Sequence, residues 1–152
     1  MTNDSNASFR ARVEGRYAEI AENVGKCVFC DLRNKYVVAQ GGECVLTVNL
    51  YPYTDGQLLV LPIRHIEKYD QLTQSELLEA DGLIKQGIGL LREKLGIVDI
   101  WLILRHGEAS GKTVTHLHWN IIPYGENLNT WHYKEISLTP IDLATRLRGL
   151  KK

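Results

Sequence analysis

One long amphipathic helix is the feature that most constrains how this chain can fold. Thr73-Gln-Ser-Glu76 has the form of a capping box, which starts helices, and Gly96 is a typical residue just past a helix end. Between them, apolar residues recur every three or four positions and form one stripe: Leu77, Ala80, Ile84, Ile88, Leu91 and Leu95. The stripe predicts a helix that packs one face against a core built by other elements.

Five short apolar segments predict the sheet that supplies this core. They are residues 36–39, 43–48, 57–62, 99–105 and 115–123. Gly41-Gly42 predicts a hairpin turn between the first two, and shorter helices are predicted from about Phe9 to Gly25 and from near Pro140. We therefore expect an α+β fold in a single domain of residues 1–152. It should have an antiparallel sheet of about five strands, one long helix and shorter terminal helices.

The charge balance argues against two classes of partner. The 18 basic residues match the 18 acidic ones, so no net charge draws the chain to nucleic acid or to an anionic membrane. A zinc-dependent nucleic-acid binder is disfavoured for the same reason. No apolar run approaches the length of a membrane span, and the start, MTNDSNASFR, lacks the apolar core of a signal peptide. A cytoplasmic setting is the expectation.

The segment Thr115–Pro123, THLHWNIIP, alternates polar and apolar residues. Residues two apart on a strand share a face. The polar side chains of His116, His118 and Asn120 should therefore lie on one face. The apolar side chains of Leu117, Trp119 and Ile121 should lie on the other face, toward the core. Two imidazoles on one buried face are costly unless they have a purpose. A neutral imidazole can attack phosphorus and form a covalent phosphoramidate.

The loop before this strand is suited to phosphate. It contains the small residues Gly107, Ser110, Gly111 and Thr113, which let backbone N–H groups approach phosphate oxygens, and Lys112 adds positive charge. Such a loop alone is weak evidence, but its position directly before the histidines strengthens it.

The cysteines suggest a second site. In a reducing compartment, Cys27-Val-Phe-Cys30 is interpreted as a metal-binding or redox pair before a disulfide. Cys44 lies in an apolar run and is expected to be a small buried hydrophobic residue.

These motifs together resemble the histidine-triad (HIT) family of nucleotide hydrolases and transferases, whose motif is His-x-His-x-His followed by two apolar residues. The resemblance runs from Cys27 to about Pro123, and residues 49–56, NLYPYTDG, are similar to bacterial diadenosine-tetraphosphate phosphorylases. It implies a HIT-like fold, an adenine nucleotide as substrate, and His118 as the nucleophile that becomes nucleotidylated. It also implies a homodimer whose sheets join edge to edge.

The resemblance assigns roles to individual residues. The catalytic residues would be His118, Asn120 and His116. Nucleotide contacts would come from Asn49, Leu50, Arg105, Gly111, Lys112, Thr113, His118 and Asn120. Several of these depart from the family's usual residues: Asn49 replaces an aspartate, Lys112 and Thr113 a glutamine and a serine, and Arg105 an asparagine. Gln57 also stands where many members have a histidine.

Asn120 occupies the place of the third histidine. Asparagine keeps a hydrogen-bond donor but cannot act as a general acid, and a polyphosphate, unlike an amine, leaves without one. The nucleotide-transferring relatives of the family have an amide, glutamine, at this position. The prediction is a hydrolase or nucleotidyltransferase acting on nucleoside polyphosphates. The alternative is a zinc-stabilised nucleotide-binding module with little or no turnover.

The resemblance also implies a metal site. In some bacterial HIT proteins a Cys-x-x-Cys pair binds zinc with a histidine like His65 and the first triad histidine, here His116. Cys27 and Cys30 complete that set. Two thiolates and two imidazoles leave no open position on a tetrahedral zinc, so the implied ion is structural. The alternative is an unmetallated cysteine pair with His65 on the surface.

Overall fold

The computed structural model describes residues 27–50 and 52–124. Its strands are β1 (Val37–Gln40), β2 (Cys44–Val48), β3 (Leu58–Pro62), β4 (Ile100–Leu104) and β5 (Trp119–Pro123), and its long helix is α1 (Gln74–Leu95). Short 3₁₀ turns occur at Asn34–Tyr36, Tyr69–Gln71 and Glu108–Ser110. The predicted terminal helices lie outside the described residues. Within that part of the chain, no helix has the length and apolar character to cross a membrane.

The five strands form one antiparallel sheet in the order β1-β2-β3-β5-β4. Strand β5, which comes last along the chain, therefore lies inside the sheet between β3 and β4. Asn120 is opposite Leu59 on one side and opposite Ile103 on the other. The α+β prediction, with about five antiparallel strands and one long helix, is confirmed.

Strand β5 begins at Trp119 rather than at the predicted Thr115. The residues before it bond to the last residue of β3 and to the connection that follows β3, instead of joining the ladder. The N–H of Leu117 donates to the carbonyl of Ile66 at 2.7 Å, and the ring of His116 bonds to the carbonyl of Pro62 at 2.8 Å. These two bonds hold the histidine segment beside the end of β3, where His116 lies close to the cysteines.

Helix α1 begins and ends as predicted. The hydroxyl of Thr73 accepts from the N–H of Glu76, the Glu76 carboxylate accepts from the N–H of Thr73, and Gly96 ends the helix with φ of +67°. The predicted apolar stripe was wrong at its ends, where Leu77 and Leu95 are exposed. The buried residues of the helix also include Leu83 and Gly87. Gly87 is buried because side chains of β2, β3 and β5 come close to the helix backbone there.

The sheet has two different faces. The face toward α1 forms the main core, and its strand residues are Cys44, Leu46, Leu58, Val60, Trp119 and Ile121. Their neighbours along β2 and β3 point the other way and pack beneath the cysteine loop: Val45, Leu59 and Leu61 with Phe29, Leu32 and Val37. Trp119 and Ile121 thus face the core as predicted, and the polar residues of the histidine segment lie on the face opposite α1.

Candidate functional site

A pocket on the sheet face opposite α1 contains the second histidine. We call it the histidine pocket, and it is lined by Phe29, Asn49, Tyr53, Leu59, Arg105, Thr113, Val114, His118 and Asn120. Arg105 supplies a cation to this pocket, and no carboxylate is among the described residues that line it. The pocket is therefore suited to an anionic ligand.

Among the described residues, only one ring nitrogen of His118 has a hydrogen-bond partner. Its Nδ1 lies 2.8 Å from the carbonyl oxygen of His116, so Nδ1–H donates and Nε2 keeps its lone pair. Burial is the main cause that lowers the pKa of His118, and the cations Arg105 and Lys112 lower it further. The imidazole is therefore neutral at physiological pH and has an unshared electron pair, as a nucleophile requires.

Asn120 is a buried bridge between three parts of the sheet. Its Oδ1 accepts from Gln57 Nε2 at 3.1 Å, and its Nδ2 donates to the carbonyl of Ile103 at 3.4 Å. Asn120 and Gln57 are each 2% exposed. The amide in the third triad position therefore has fixed partners and is not a solvated surface group.

Arg105 is positioned by an aromatic ring. Its Nη2 donates to the hydroxyl of Tyr53 at 3.3 Å, and its guanidinium carbon lies 5.7 Å from the centre of the Tyr53 ring. Tyr53 belongs to the loop that also carries Asn49. The pocket's cation is thus coupled to the loop on the opposite wall.

Not every predicted nucleotide contact lines the pocket. Asn49, Arg105, Thr113, His118 and Asn120 do. The others, Leu50, Gly111 and Lys112, are not among its lining residues. Lys112 donates its ammonium group to the carbonyls of Glu67 and Thr115, at 3.1 and 3.2 Å, and so ties the loop to the chain after β3. The binding roles of all eight residues remain predictions.

Four lining residues were not assigned from the sequence: Phe29, Tyr53, Leu59 and Val114. Two of them had a signal, because Phe29 stands inside the Cys-x-x-Cys motif and Tyr53 inside the segment similar to phosphorylases. Leu59 and Val114 had none. An apolar residue in a strand or loop looks like core until the fold shows what lies above it.

The predicted metal ligands lie beside this pocket. We call Cys27, Cys30, His65 and His116 the thiol–imidazole cluster; their ligand atoms all lie within 4.8 Å of one another. His116 Nδ1 is 3.6 Å from both sulfurs, and His65 Nδ1 is 3.3 Å from the sulfur of Cys30. A tetrahedral zinc would separate its sulfur and nitrogen ligands by about 3.5 Å, so these side chains fit zinc.

His116 has the tautomer that a metal ligand needs. Its Nε2–H donates to the carbonyl of Pro62 at 2.8 Å, which leaves the Nδ1 lone pair facing the two thiols. Burial lowers the pKa of His116 to about 4, so the ring stays neutral. Burial and the neighbouring Cys27 raise the pKa of Cys30. A dication would offset this cost of gathering two thiolates.

Phe29 separates the cluster from the pocket. Its ring centre lies 6.0 Å from that of His116 and 5.0 Å from that of His118, and it meets both rings edge-on. Because Phe29 lies between the two cysteines in the chain, the cysteine loop forms one wall of the histidine pocket.

Comparisons with known proteins agree with this architecture. The HIT domain model matches residues 33–127. The AP-4-A phosphorylase of Mycobacterium tuberculosis is 31% identical over 88 residues, which cover 57% of this chain and 45% of that protein. A HIT family protein of Bacillus subtilis superposes with a TM-score of 0.69 at 22% identity and covers 82% of this chain and 94% of its own.

A structure with bound zinc is also similar. The Zn-bound histidine triad family protein of Mycobacterium smegmatis has a TM-score of 0.60 at 19% identity, covering 72% of this chain and 83% of that one. The family model spans more than half of the chain, and the sheet, helix and histidine segment lie within it. On this evidence the chain belongs to the HIT domain family.

Proposed function

We propose that this protein is a nucleotidyl hydrolase or transferase acting on nucleoside polyphosphates of the diadenosine polyphosphate kind. The observation that carries the proposal is the state of His118, a buried neutral imidazole whose Nδ1–H is bonded to the His116 carbonyl. Its Nε2 has no hydrogen-bond partner among the described residues. The same pocket contains the cation of Arg105. Similarity to an AP-4-A phosphorylase supports the choice of substrate class.

The reaction would proceed in two displacements. Nε2 of His118 attacks the α-phosphorus, an N–P bond forms, and the P–O bond to the remaining polyphosphate breaks with its electron pair on the leaving oxygen. The bond from Nδ1–H to the His116 carbonyl stabilises the imidazolium character that develops. Water or phosphate then attacks the phosphorus, loses a proton, and the N–P bond breaks to restore neutral His118.

Other pocket residues would stabilise and orient the nucleotide. Arg105 offsets the charge on the phosphate oxygens, and Asn120 donates a hydrogen bond without supplying a proton. Thr113 would bind the α-phosphate and Asn49 the ribose of an adenine nucleotide, as family members do at these positions. His116 would act indirectly, because its backbone carbonyl orients the ring of His118.

We also propose that the thiol–imidazole cluster binds a structural zinc. Cys27, Cys30, His65 and His116 would hold the ion, whose contribution is to fix the histidine segment beside the pocket. We further propose a homodimer. In this sheet β4 is an edge strand with Leu102 exposed, which suits pairing with a second copy.

The decisive test is to trap the covalent intermediate. Diadenosine tetraphosphate labelled at its α-phosphorus is mixed with the wild type and with His118→Ala, with and without inorganic phosphate. The wild type should form a labelled adduct that is stable in alkali and labile in acid, and His118→Ala should form none. ADP as the labelled product shows transfer to phosphate, and AMP shows transfer to water.

One observation favours a second candidate, a nucleotide-binding module. Asn120 is engaged by Gln57 and Ile103 and can supply no proton to a leaving group. If wild type and His118→Ala showed the same residual rate on every substrate, while AMP still raised the melting temperature, the binding module would be the correct function.

A further inference from the structure

Gln57 uses all four of its hydrogen-bonding groups to hold the pocket together. It stands directly before β3, where its backbone N–H donates to the carbonyl of Thr54 at 3.4 Å and its carbonyl accepts from the N–H of Asn49 at 3.2 Å. Its Oε1 accepts from the N–H of Tyr53 at 2.7 Å, and its Nε2 donates to Asn120 Oδ1 at 3.1 Å. Gln57 therefore contacts both the loop on one wall and the amide on the other.

The direction of this chain of amides is determined by its two ends. At one end the N–H of Tyr53 can only donate, so it must meet the oxygen of the Gln57 amide. At the other end the carbonyl of Ile103 can only accept, so it must meet the nitrogen of Asn120. Between these ends, Gln57 presents its NH₂ group and Asn120 its oxygen.

This direction decides what Asn120 can offer a ligand. Its oxygen is taken by Gln57, and one hydrogen of its NH₂ group goes to Ile103. The second hydrogen is what remains for the pocket that Asn120 lines. A flipped Asn120 would set NH₂ against NH₂ and oxygen against oxygen in a buried place, replacing two hydrogen bonds with two repulsive contacts.

We propose that Gln57 is a positioning residue that makes Asn120 a permanent hydrogen-bond donor toward the pocket, so that the pocket favours a phosphate-bearing nucleotide over the bare nucleoside. The inference rests on the proposed function, because it takes the ligand to be a nucleotide. It adds a residue that acts through Asn120 and contributes to selection of the anionic group.

The test compares two substitutions at position 57 with a charge control. In Gln57→Glu the carboxylate accepts from both Tyr53 and Asn120. This turns the Asn120 NH₂ group toward position 57 and puts its oxygen in the place of the nitrogen, beside Ile103 and the pocket. Gln57→Met keeps the shape, adds no charge and leaves Asn120 directed by the carbonyl of Ile103 alone. Gln86→Glu adds the same charge on an exposed position of α1. The affinities of AMP and of adenosine are measured for each protein by NMR titration.

We expect Gln57→Glu to weaken the binding of AMP roughly tenfold to a hundredfold and the binding of adenosine by less than about twofold. The AMP affinity of Gln57→Met should lie between those of Gln57→Glu and the wild type. The AMP affinity of Gln86→Glu should equal that of the wild type. In an Asn120→Ala background, Gln57→Met should change the ratio of AMP to adenosine affinity no further, because the residue through which it acts is gone.

The outcomes separate the inference from the proposed function. Equal weakening of AMP and adenosine would show that Gln57 only supports the loop, and an unchanged ratio would also overturn the inference while nucleotide binding stood. A wild type that binds no AMP overturns both. The free protein gives a separate check: if the Asn120 side-chain NH₂ exchanges as fast in the wild type as in Gln57→Met, the amide is not directed.

Discussion

The thiol–imidazole cluster and the histidine pocket use the same residue type in opposite states. In the cluster, His116 carries its proton on Nε2, bonded to Pro62, and turns the Nδ1 lone pair to the thiols. In the pocket, His118 carries its proton on Nδ1, bonded to the His116 carbonyl, and keeps the Nε2 lone pair. The position of a backbone carbonyl therefore decides whether a histidine is suited to be a metal ligand or a nucleophile.

The two regions also differ in how complete they are. The cluster brings together four ligands and leaves no position on a tetrahedral ion, which suits a structural role. The pocket combines a cation, amides and a hydroxyl around one imidazole, and its described residues form no such closed set of ligands. Changes in the pocket should therefore act mainly on chemistry, whereas changes in the cluster should act mainly on stability.

The largest effect is expected from Asn120→His assayed on a nucleoside phosphoramidate. The amine leaving group needs a proton that asparagine cannot supply, so the wild type should barely react. The substitution should raise turnover roughly a hundredfold to ten-thousandfold, the range of general acid catalysis. Cleavage of diadenosine tetraphosphate, whose leaving group departs as a stable anion, should change far less. Equal gains on both substrates would show that the third position does not govern leaving-group protonation.

The next largest effect concerns stability. Metal analysis of the wild type should find about one zinc per chain, and Cys30→Ala should lose it together with roughly 3–5 kcal/mol of unfolding free energy. Cys44→Ala is the matched control, since that cysteine is buried in the main core away from the cluster. It should lose stability but keep zinc. A metal-free wild type, or unchanged stability in Cys30→Ala, would contradict the proposed zinc site.

A smaller effect should link the two regions through Phe29. Because its ring contacts His116 and His118, removing zinc should weaken AMP binding by roughly fivefold to fiftyfold. Because linkage is reciprocal, saturating AMP should increase the affinity for zinc by the same factor. Phe29→Leu should keep zinc, because it removes no ligand, and should lose most of this coupling. Equal AMP affinity with and without zinc in the wild type would show that the two sites are independent.

The smallest effect should come from the ion pair between Arg64, which directly precedes the cluster residue His65, and Glu76 of α1. Arg64 donates to both carboxylate oxygens of buried Glu76, at 3.0 and 2.9 Å, and this contact is the main cause that lowers the pKa of Glu76. A lowered folded-state pKa gives stability that is present above the unfolded value, about 4.3, and is lost as pH falls through the folded value.

Glu76→Gln should therefore lower the melting temperature by roughly 2–6 °C near neutral pH. The difference from the wild type should shrink below about pH 4, where the wild-type carboxylate also becomes protonated. Glu93→Gln, on an exposed position of the same helix, should show little difference at either pH. Thermal unfolding monitored by circular dichroism across this range tests the sign, and a difference that grows in acid would contradict it.

Local signals in the sequence determined most of the fold. The capping box at Thr73 and the glycine at position 96 set the bounds of α1, because both act within a few residues of the chain. Alternation along the histidine segment placed Trp119 and Ile121 toward the core, because the period of an extended chain is a local property. The metal ligand set was implied by family resemblance, and the structure brings those four side chains together.

Tertiary structure decided three chemical states in the site, whereas the proton of His118 is placed by the carbonyl only two residues earlier in the chain. The lone pair that His116 Nδ1 turns to the thiols depends on Pro62, and the orientation of the Asn120 amide depends on Gln57, residues far away along the chain. The same is true of Lys112, whose ammonium group turns to the carbonyl of Glu67. Each of these states is set by a hydrogen bond between segments that only the packed sheet and its loops bring together, so no pattern within a short stretch of sequence could contain it.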